Sequence, residues 1–439
     1  MKGLLWRIGI AIALAGLTAG CGAPASSPAA TTETSAPFAP LNSGAALFWD
    51  RQTTESAALM RALADEFNAG HAGLPIQVEH VGGYGEIFRK VSASIQARSL
   101  PAMVVSYESM TAQYAVSGAV RPLDDLVSDP ATGLSGEDLA DFFPAVLETN
   151  RFEDHKSALL SFPFTKSVLM LYYNTRVLAE AGVAGPPQTW AAFLEAARTI
   201  KAKTGKKAYA ISVDCSTLSA MIFSHGGEVM KEHVLQYDRP AAIAVFELLE
   251  HLAREELAYA IPPNTFDDEV ALSNDQVAFT LRTSAGSAPL ALAMGNDATR
   301  WGMTRIPQAD PDHPATILFG PNVTLFRVGQ EQEAAAWNFV KFFTRKDTMI
   351  RWATQTGYLP VRQSVAGDPV MEAYWAGQPG NRTAFDCLSI ARSEPNVAGW
   401  QQVRDLVERA ASAVIGKLMS GREAALDLQQ KATAALAEY

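Results

Sequence analysis

Apolar residues recur along most of this chain in two alternating rhythms. Short apolar runs of strand length are followed by stretches in which apolar positions return every three or four residues, the spacing of one helix face. Leu47-Phe48-Trp49 reads as a first strand, and Leu59, Leu63 and Phe67 then share a helix face that stops near Asn68-Ala69-Gly70. Ile76 and Val78 open the next strand. Gly82-Gly83-Tyr84-Gly85 breaks the chain before a helix carrying Phe88, Val91 and Ile95 inward, and Pro101-Ala102-Met103-Val104-Val105 follows as a buried strand. This βαβαβ order predicts α/β layers. Farther on, Thr189 caps a helix with Phe193, Leu194, Ala197 and Ile200 on one face, Gly205 closes it, and Ala208 to Val213 forms a strand. Val277 to Leu281 and Thr316 to Phe319 are strand candidates. Trp337, Val340 and Phe343, then Trp400, Val403, Val407, Ala410 and Val414, mark helices.

The N-terminus departs from this grammar. Lys2 and Arg7 precede an apolar run from Ile8 to Leu17 that ends in Thr18-Ala19-Gly20-Cys21. A short positive segment, an apolar core too short for a permanent span and small residues before a cut site describe an export signal over residues 1–20. Its closing Cys21 resembles the lipobox of bacterial lipoproteins, with Thr18 where the commonest boxes carry Leu. That resemblance implies acylation of Cys21 and an extracytoplasmic protein held to its membrane by lipid. Residues 21–42, rich in Gly, Ala, Pro, Ser and Thr, have too little apolar surface to offset their ordering entropy and are expected to be a disordered tether.

Composition narrows the class. Lys and Arg number 36 against 46 Asp and Glu, for a net charge of −10; the signal removes two cations and no acid, leaving about −12. An acidic body without basic runs excludes nucleic acid as a partner, because that affinity comes from Lys and Arg at phosphates. About four hundred residues with 48% apolar content exceed what one core usually organises, so two domains are expected. Cys215 and Cys387 either form one disulfide or are two small buried hydrophobes. No zinc-protease, P-loop, nucleophile-elbow or calcium-loop motif is present, and no cofactor is implied.

Several stretches, taken in order, resemble the extracellular solute-binding proteins that feed ABC importers for sugars and glycerol phosphates. They are Phe48-Trp49 before the acidic helix ending Glu66-Phe67-Asn68, Ala102 through Glu108, Pro163-Phe164-Thr165-Lys166-Ser167 leading to Tyr172-Tyr173-Asn174, Pro186-Pro187-Gln188-Thr189-Trp190, Asn274 through Phe279, and Thr356-Gly357-Tyr358-Leu359-Pro360. The resemblance implies a two-lobe periplasmic-binding fold, each lobe a mixed sheet flanked by helices with the ligand cleft between them. It places the first lobe at 43–164 and 305–343 and the second at 165–304 and 344–439, with crossings near Phe164, Arg305 and Thr344. It also implies a monomer that closes on a small solute and delivers it to membrane permease subunits. In the branch that binds glycerol-3-phosphate, the positions matching Tyr84, Glu108, Ser167 and Tyr358 contact ligand. Ser284, Ser287 and the Pro321-Asn322 turn are further matches, and the ligand arginine corresponds to Arg392 or Arg404, with Arg392 carried as the candidate. This chain departs from that branch at Val213-Asp214-Cys215-Ser216, where the relatives carry tryptophans.

The residue types suit a polyol. A buried ligand hydroxyl without a partner costs about 1–3 kcal/mol, so such sites carry planar hydrogen-bonding groups and flat apolar surfaces. Tyr84 offers a ring to a sugar face, or anchors its own loop. Glu108, directly after a strand, is an acceptor pair for vicinal hydroxyls, or a solvated loop acid. Lys166 favours an anionic ligand, or pairs with a neighbouring acid. Ser284 and Ser287 present N–H groups to a phosphate or simply cap a helix, and Arg282 would strengthen an anion site. Asp214 argues instead for a cationic or hydroxyl-rich ligand. His225 and Trp375 are candidate cleft borders, and Asp267-Asp268-Glu269 is expected to be a solvated helix start. The competing class is a lipid-anchored surface glycan hydrolase with Glu108 and Asp214 as its carboxylate pair, which needs the two groups about 5–10 Å apart.

Overall fold

The computed structural model describes residues 38–262 and 265–439, and the signal, Cys21 and most of the expected tether lie outside them. Two mixed sheets organise the body. The first has the order Ile76–His80, Ala46–Asp50, Met103–Ser106, Asn322–Leu325 and Phe162–Pro163, its first three strands parallel and the last two antiparallel additions. The second runs Ala258–Ala260, Tyr209–Ile211, Phe279–Thr283, Ser167–Asn174, Thr316–Phe319 and Ala391–Arg392, with Trp301–Arg305 also paired to the long strand Ser167–Asn174.

The helices form where the apolar rhythm placed them. Helix Thr54–Gly70 buries Met60, Leu63, Ala64 and Phe67, with Leu59 at the margin. Helix Trp190–Thr204 starts on Thr189, whose Oγ1 accepts from the Ala192 amide at 3.1 Å, and ends on Gly205 in the left-handed region. A side-chain cap followed by a positive-φ glycine satisfies the orphaned backbone groups at both ends of a helix. No helix among the described residues is long and apolar enough to cross a membrane.

Where the chain passes between the sheets, packing is close. Phe162–Pro163 belongs to the first sheet and Ser167–Asn174 to the second, and fully buried Phe164 stacks on Phe343 at 4.0 Å between ring centroids. The return passage is Gly320-Pro321, between Thr316–Phe319 and Asn322–Leu325. Gly320 has φ +86°, and a Cβ there would stand 2.0 Å from the Thr165 carbonyl oxygen. Only glycine lets the two passages lie this near each other. A third segment joins them, because the Leu359 amide donates to the Lys166 carbonyl at 2.7 Å.

Four expectations need correction. Residues 38–42 are not tether: Phe38 is buried, and Ala39–Pro40 pairs in parallel with Ser99–Leu100, because the tract's one aromatic has a core to enter. Residues 305–319 do not belong with the first sheet, since Trp301–Arg305 and Thr316–Phe319 both pair with Ser167–Asn174; the crossing is at Gly320, not Arg305. Helix Lys346–Thr356 packs on Thr54–Gly70 and Gln330–Phe343, with Trp352 against Phe343, so the chain does not leave the first body at Thr344. Asp268 is buried and paired with Arg282, not solvated. Cys215 and Cys387 are free and buried.

Candidate ligand-binding site

The strand Met103–Ser106 ends at Tyr107, and helix Glu108–Val116 starts there. The junction is fixed from below by Ser106, Thr111 and Thr324, whose hydroxyls lie 2.6–2.9 Å from one another. Glu108 occupies the first helical position, where the helix dipole favours an acid. Its Oε1 accepts from Asn322 Nδ2 at 2.8 Å, Thr149 Oγ1 at 3.1 Å and Lys166 Nζ at 3.4 Å. All three donors converge on one oxygen. Among the described residues Oε2 accepts nothing, which leaves one carboxylate oxygen open to a hydroxyl donor.

Lys166 is fully buried at the crossing and donates also to the Gly320 carbonyl at 3.1 Å. Burial pulls its pKa below the usual lysine range, partly offset by the charge of Glu108. The alternative of a paired lysine is therefore the one realised, and the ammonium is engaged by the protein itself. Asn322 is also buried, and its Oδ1 has no partner.

An aromatic group stands beside this centre. The rings of Tyr84 and Tyr107 are 4.0 Å apart between centroids, and the Arg51 guanidinium lies 4.8 Å from the Tyr84 centroid. Tyr84 is thus in contact with two side chains, on the ring assigned to a sugar face. Tyr358 accepts from Gln52 Nε2 at 3.3 Å through its hydroxyl. Burial pushes Tyr107 up to about 12, and Arg404, Arg51, Asp214 and Glu394 all act on it electrostatically, so it sits where the two bodies meet. Asp50, 2% exposed, is pushed up to about 6 by burial, against the backbone N–H groups of Gln52 and Arg51. Its Oδ1 has no partner.

The second body contributes Arg404 from helix Trp400–Ile415. Its guanidinium lies 5.4 Å from the Tyr107 centroid, donates to Ser216 Oγ at 2.9 Å and is ion-paired with Glu394. Trp400 Nε1 donates to the same Glu394 oxygen at 3.1 Å. Direct contacts tie the bodies here: Gln401 Nε2 donates to Ser109 Oγ at 2.5 Å, and Asn396 Nδ2 to the Arg151 carbonyl at 2.7 Å.

Of the sequence-derived candidates, Tyr84, Glu108, Lys166, Asn322 and Tyr358 come together, with Ser167 buried beside Lys166 at the start of its strand. Ser287 Oγ is buried without a partner, 3.1 Å from where a Gly357 Cβ would lie, so it adjoins the Tyr358 turn. Ser284 is structural: its Oγ accepts from the Val168 amide at 3.3 Å and its carbonyl from the Tyr172 hydroxyl at 3.2 Å. Asp214 caps helix Cys215–Ser224, with Oδ1 accepting from the Thr217 amide at 3.0 Å and Oδ2 from Ser212 Oγ at 3.0 Å. With Glu108 ion-paired and Asp214 capping, neither carboxylate is arranged as a hydrolase acid.

Arg392 is not in this group. It lies over Phe223, donates to the Gly227 carbonyl at 3.1 Å and pairs with Glu228, because its short edge strand turns it toward that loop. Of the two arginines the sequence left open, Arg404 is the one beside Tyr107. Arg282 is spent on Asp268 at 2.9 Å and Glu269 at 3.0 Å. His225 stacks on Trp190, and Trp375 is buried against Phe385, so neither borders the site. A surface depression of about 810 Å³ near Arg345 and Arg362 is lined by ion-paired side chains and touches none of these residues.

Sequence reasoning missed Asp50, Arg51, Gln52, Tyr107 and Thr149. The signal for the first three was present: Asp50-Arg51-Gln52 closes the first strand as Tyr107-Glu108 closes the third, at the strand edge where α/β sheets place ligands. No group of His, Cys, Asp and Glu among the described residues is arranged to hold a metal.

Known proteins share this arrangement of chain. The sn-glycerol-3-phosphate-binding periplasmic protein UgpB of Escherichia coli K12 is 24% identical over 353 residues, 77% of this chain and 78% of that protein. Among solved structures, UgpB from Mycobacterium tuberculosis in complex with glycerophosphocholine superposes with a TM-score of 0.79 at 21% identity, over 90% of this chain and 99% of that one. The cyclic alpha-maltosyl-1,6-maltose binding protein of Arthrobacter globiformis gives 0.76 at 21% identity, over 90% and 99%. The fold is that of the periplasmic binding proteins, two mixed α/β lobes about a cleft. The family described as bacterial extracellular solute-binding protein matches residues 62–379, from the first helix through the Tyr358 turn, and the chain belongs to it.

Proposed function

We propose that this chain is the lipid-anchored receptor of an ABC importer, capturing a small polyhydroxylated solute between its lobes and handing it to the membrane permease. The solute classes are a sugar, glycerol-3-phosphate or a glycerophosphodiester. The observation that carries this reading is the Glu108 centre, one carboxylate oxygen saturated by three protein donors and the other without a protein donor, on the residue that follows Tyr107, whose ring meets that of Tyr84. A hydroxyl donor on Oε2 completes that carboxylate. Relatives named for glycerol-3-phosphate, glycerophosphocholine and maltosyl sugars support the class.

The lobes follow the sheets: one from Phe38 to Phe164 and again from Gly320 through the Tyr358 turn, the other from Thr165 to Phe319 and from Ala391 to Tyr439. Closure about Thr165-Lys166 and Gly320-Pro321 buries the solute, and the closed monomer docks on the permease. Solute capture without turnover is the activity, since Glu108 and Asp214 are both engaged by the protein. Acylated Cys21 tethers the receptor to the outer side of its membrane.

A thermal-shift panel of sugars, polyols and glycerophosphodiesters tests the function, because a solute at a hundred times its Kd adds about 2.7 kcal/mol. A hit that reduces the radius of gyration in solution scattering supports closure, and any product formed from it, seen by mass spectrometry, moves the protein to the hydrolases. Labelling with a palmitate analogue is expected to mark the wild type and miss Cys21→Ala; label that survives the substitution ends the anchor.

A further inference from the structure

Arg51 follows the strand Ala46–Asp50 directly and lies against Tyr84, inside the group just described. The titratable groups around it are Tyr84, Tyr358, Tyr107 and Asp50. None of them holds it. Among the described residues Arg51 enters no ion pair and donates no side-chain hydrogen bond, and its Nε is buried without a partner. Among the described residues, other arginines largely withdrawn from water are neutralised: Arg282 by Asp268 and Glu269, Arg362 by Asp138 and Asp141, Arg404 by Glu394. Asp50 is not its counter-ion, since Oδ2 accepts from the Gln52 amide at 3.0 Å and Oδ1 is an orphan.

Its Nε is shut from water without an acceptor while the rest of the half-buried guanidinium still reaches solvent, and a planar fork of five N–H donors matches two oxygens of one oxyanion. The Tyr84 ring, in contact with Tyr107 and Arg51, has little face left for a neutral sugar. Lys166, the fully buried cation here, is consumed by Glu108 and Gly320.

We propose that Arg51 is the oxyanion anchor of the cleft, so that the bound solute is a polyol bearing a phosphoryl or carboxyl group, its oxygens on Arg51 and a hydroxyl on Glu108 Oε2. This rests on the solute-receptor reading and sharpens it: Arg51, not Lys166 or Arg282, decides between charged and neutral polyols.

Calorimetric titration of the wild type, Arg51→Gln and Arg51→Lys with glycerol-3-phosphate, glycerophosphocholine, gluconate and maltose tests it. The wild type is expected to favour one of the three oxyanion-bearing solutes over maltose, with affinity that falls as salt rises, and which of the three binds tells monoester from diester from carboxylate. Arg51→Gln should weaken that solute by about tenfold to a hundredfold, and Arg51→Lys, which restores charge without the fork, should recover part of the loss. Undiminished binding of the oxyanion-bearing solute by Arg51→Gln, a salt-independent affinity in the wild type, or a wild-type preference for maltose overturns the anchor and leaves the receptor reading standing. A wild type that binds none of the four overturns the anchor, and one that also binds no member of the thermal-shift panel overturns the receptor reading with it.

Discussion

Removing Lys166 tests how the site is held together. The pair it makes with Glu108 is almost dry, with side chains 0% and 11% exposed. Breaking such a pair from one side costs about 3–5 kcal/mol, because a charge remains buried without its partner. Here the lower end applies, since Asn322 and Thr149 still donate to Glu108. At about 2.1 cal/mol/K of unfolding entropy per residue, a body of roughly four hundred residues should lose about 4 °C in Tm for Lys166→Met. The depressed pKa of Lys166 adds a second, sharper expectation. For the Lys166 ammonium, burial outweighs the attraction of Glu108. The double variant Lys166→Met/Glu108→Gln should therefore be more stable than Lys166→Met alone and lie within about 1 kcal/mol of the wild type. Scanning calorimetry of the three proteins decides it. Additive losses in the double variant would refute the reasoning.

Two further perturbations probe the same region. Asp50, raised from 3.8 to about 6, contributes stability that is complete below pH 4 and is lost as pH rises through about 6, a change of roughly 3 kcal/mol; urea melts of Asp50→Asn should lack that fall, and an unchanged pH profile would contradict the burial of a lone acid. Gly320→Ala, which sets a Cβ against the Thr165 carbonyl at positive φ, should cost at least about 2 kcal/mol, while Gly182→Ala, with φ +72° and open space around it, should cost only about 1; equal losses would mean that the crossings are not tightly apposed.

Much of this was legible in the chain because the physics is local. Periodicity placed Thr54–Gly70, Tyr84–Gln96 and Trp190–Thr204, and the position just past a strand singled out Glu108. The same rule applied to Asp50 and Arg51 but was not carried there, since a polar run opening a helix looks like any solvated helix start. What sequence could not supply was pairing. Whether Lys166 meets Glu108, whether Arg282 is consumed by Asp268, and whether Arg392 or Arg404 faces the cleft are set by contacts between segments far apart in sequence. The same holds for Thr316–Phe319, whose apolar pattern fits either sheet and whose membership is decided by its hydrogen bonds to Ser167–Asn174. Glu108 is buried and ion-paired with Lys166 rather than a solvated loop acid, so its role in binding is best probed in the double variant.

That double variant allows the most direct test of the central claim, that Glu108 Oε2 is an acceptor for a bound solute. Titrate the wild type and Lys166→Met/Glu108→Gln, by calorimetry, with the solute found in the thermal-shift panel. Losing the carboxylate contact to a buried hydroxyl should raise Kd about tenfold to a hundredfold in a protein that remains folded. Wild-type affinity in the folded double variant would contradict the account and move the site away from the Glu108 centre.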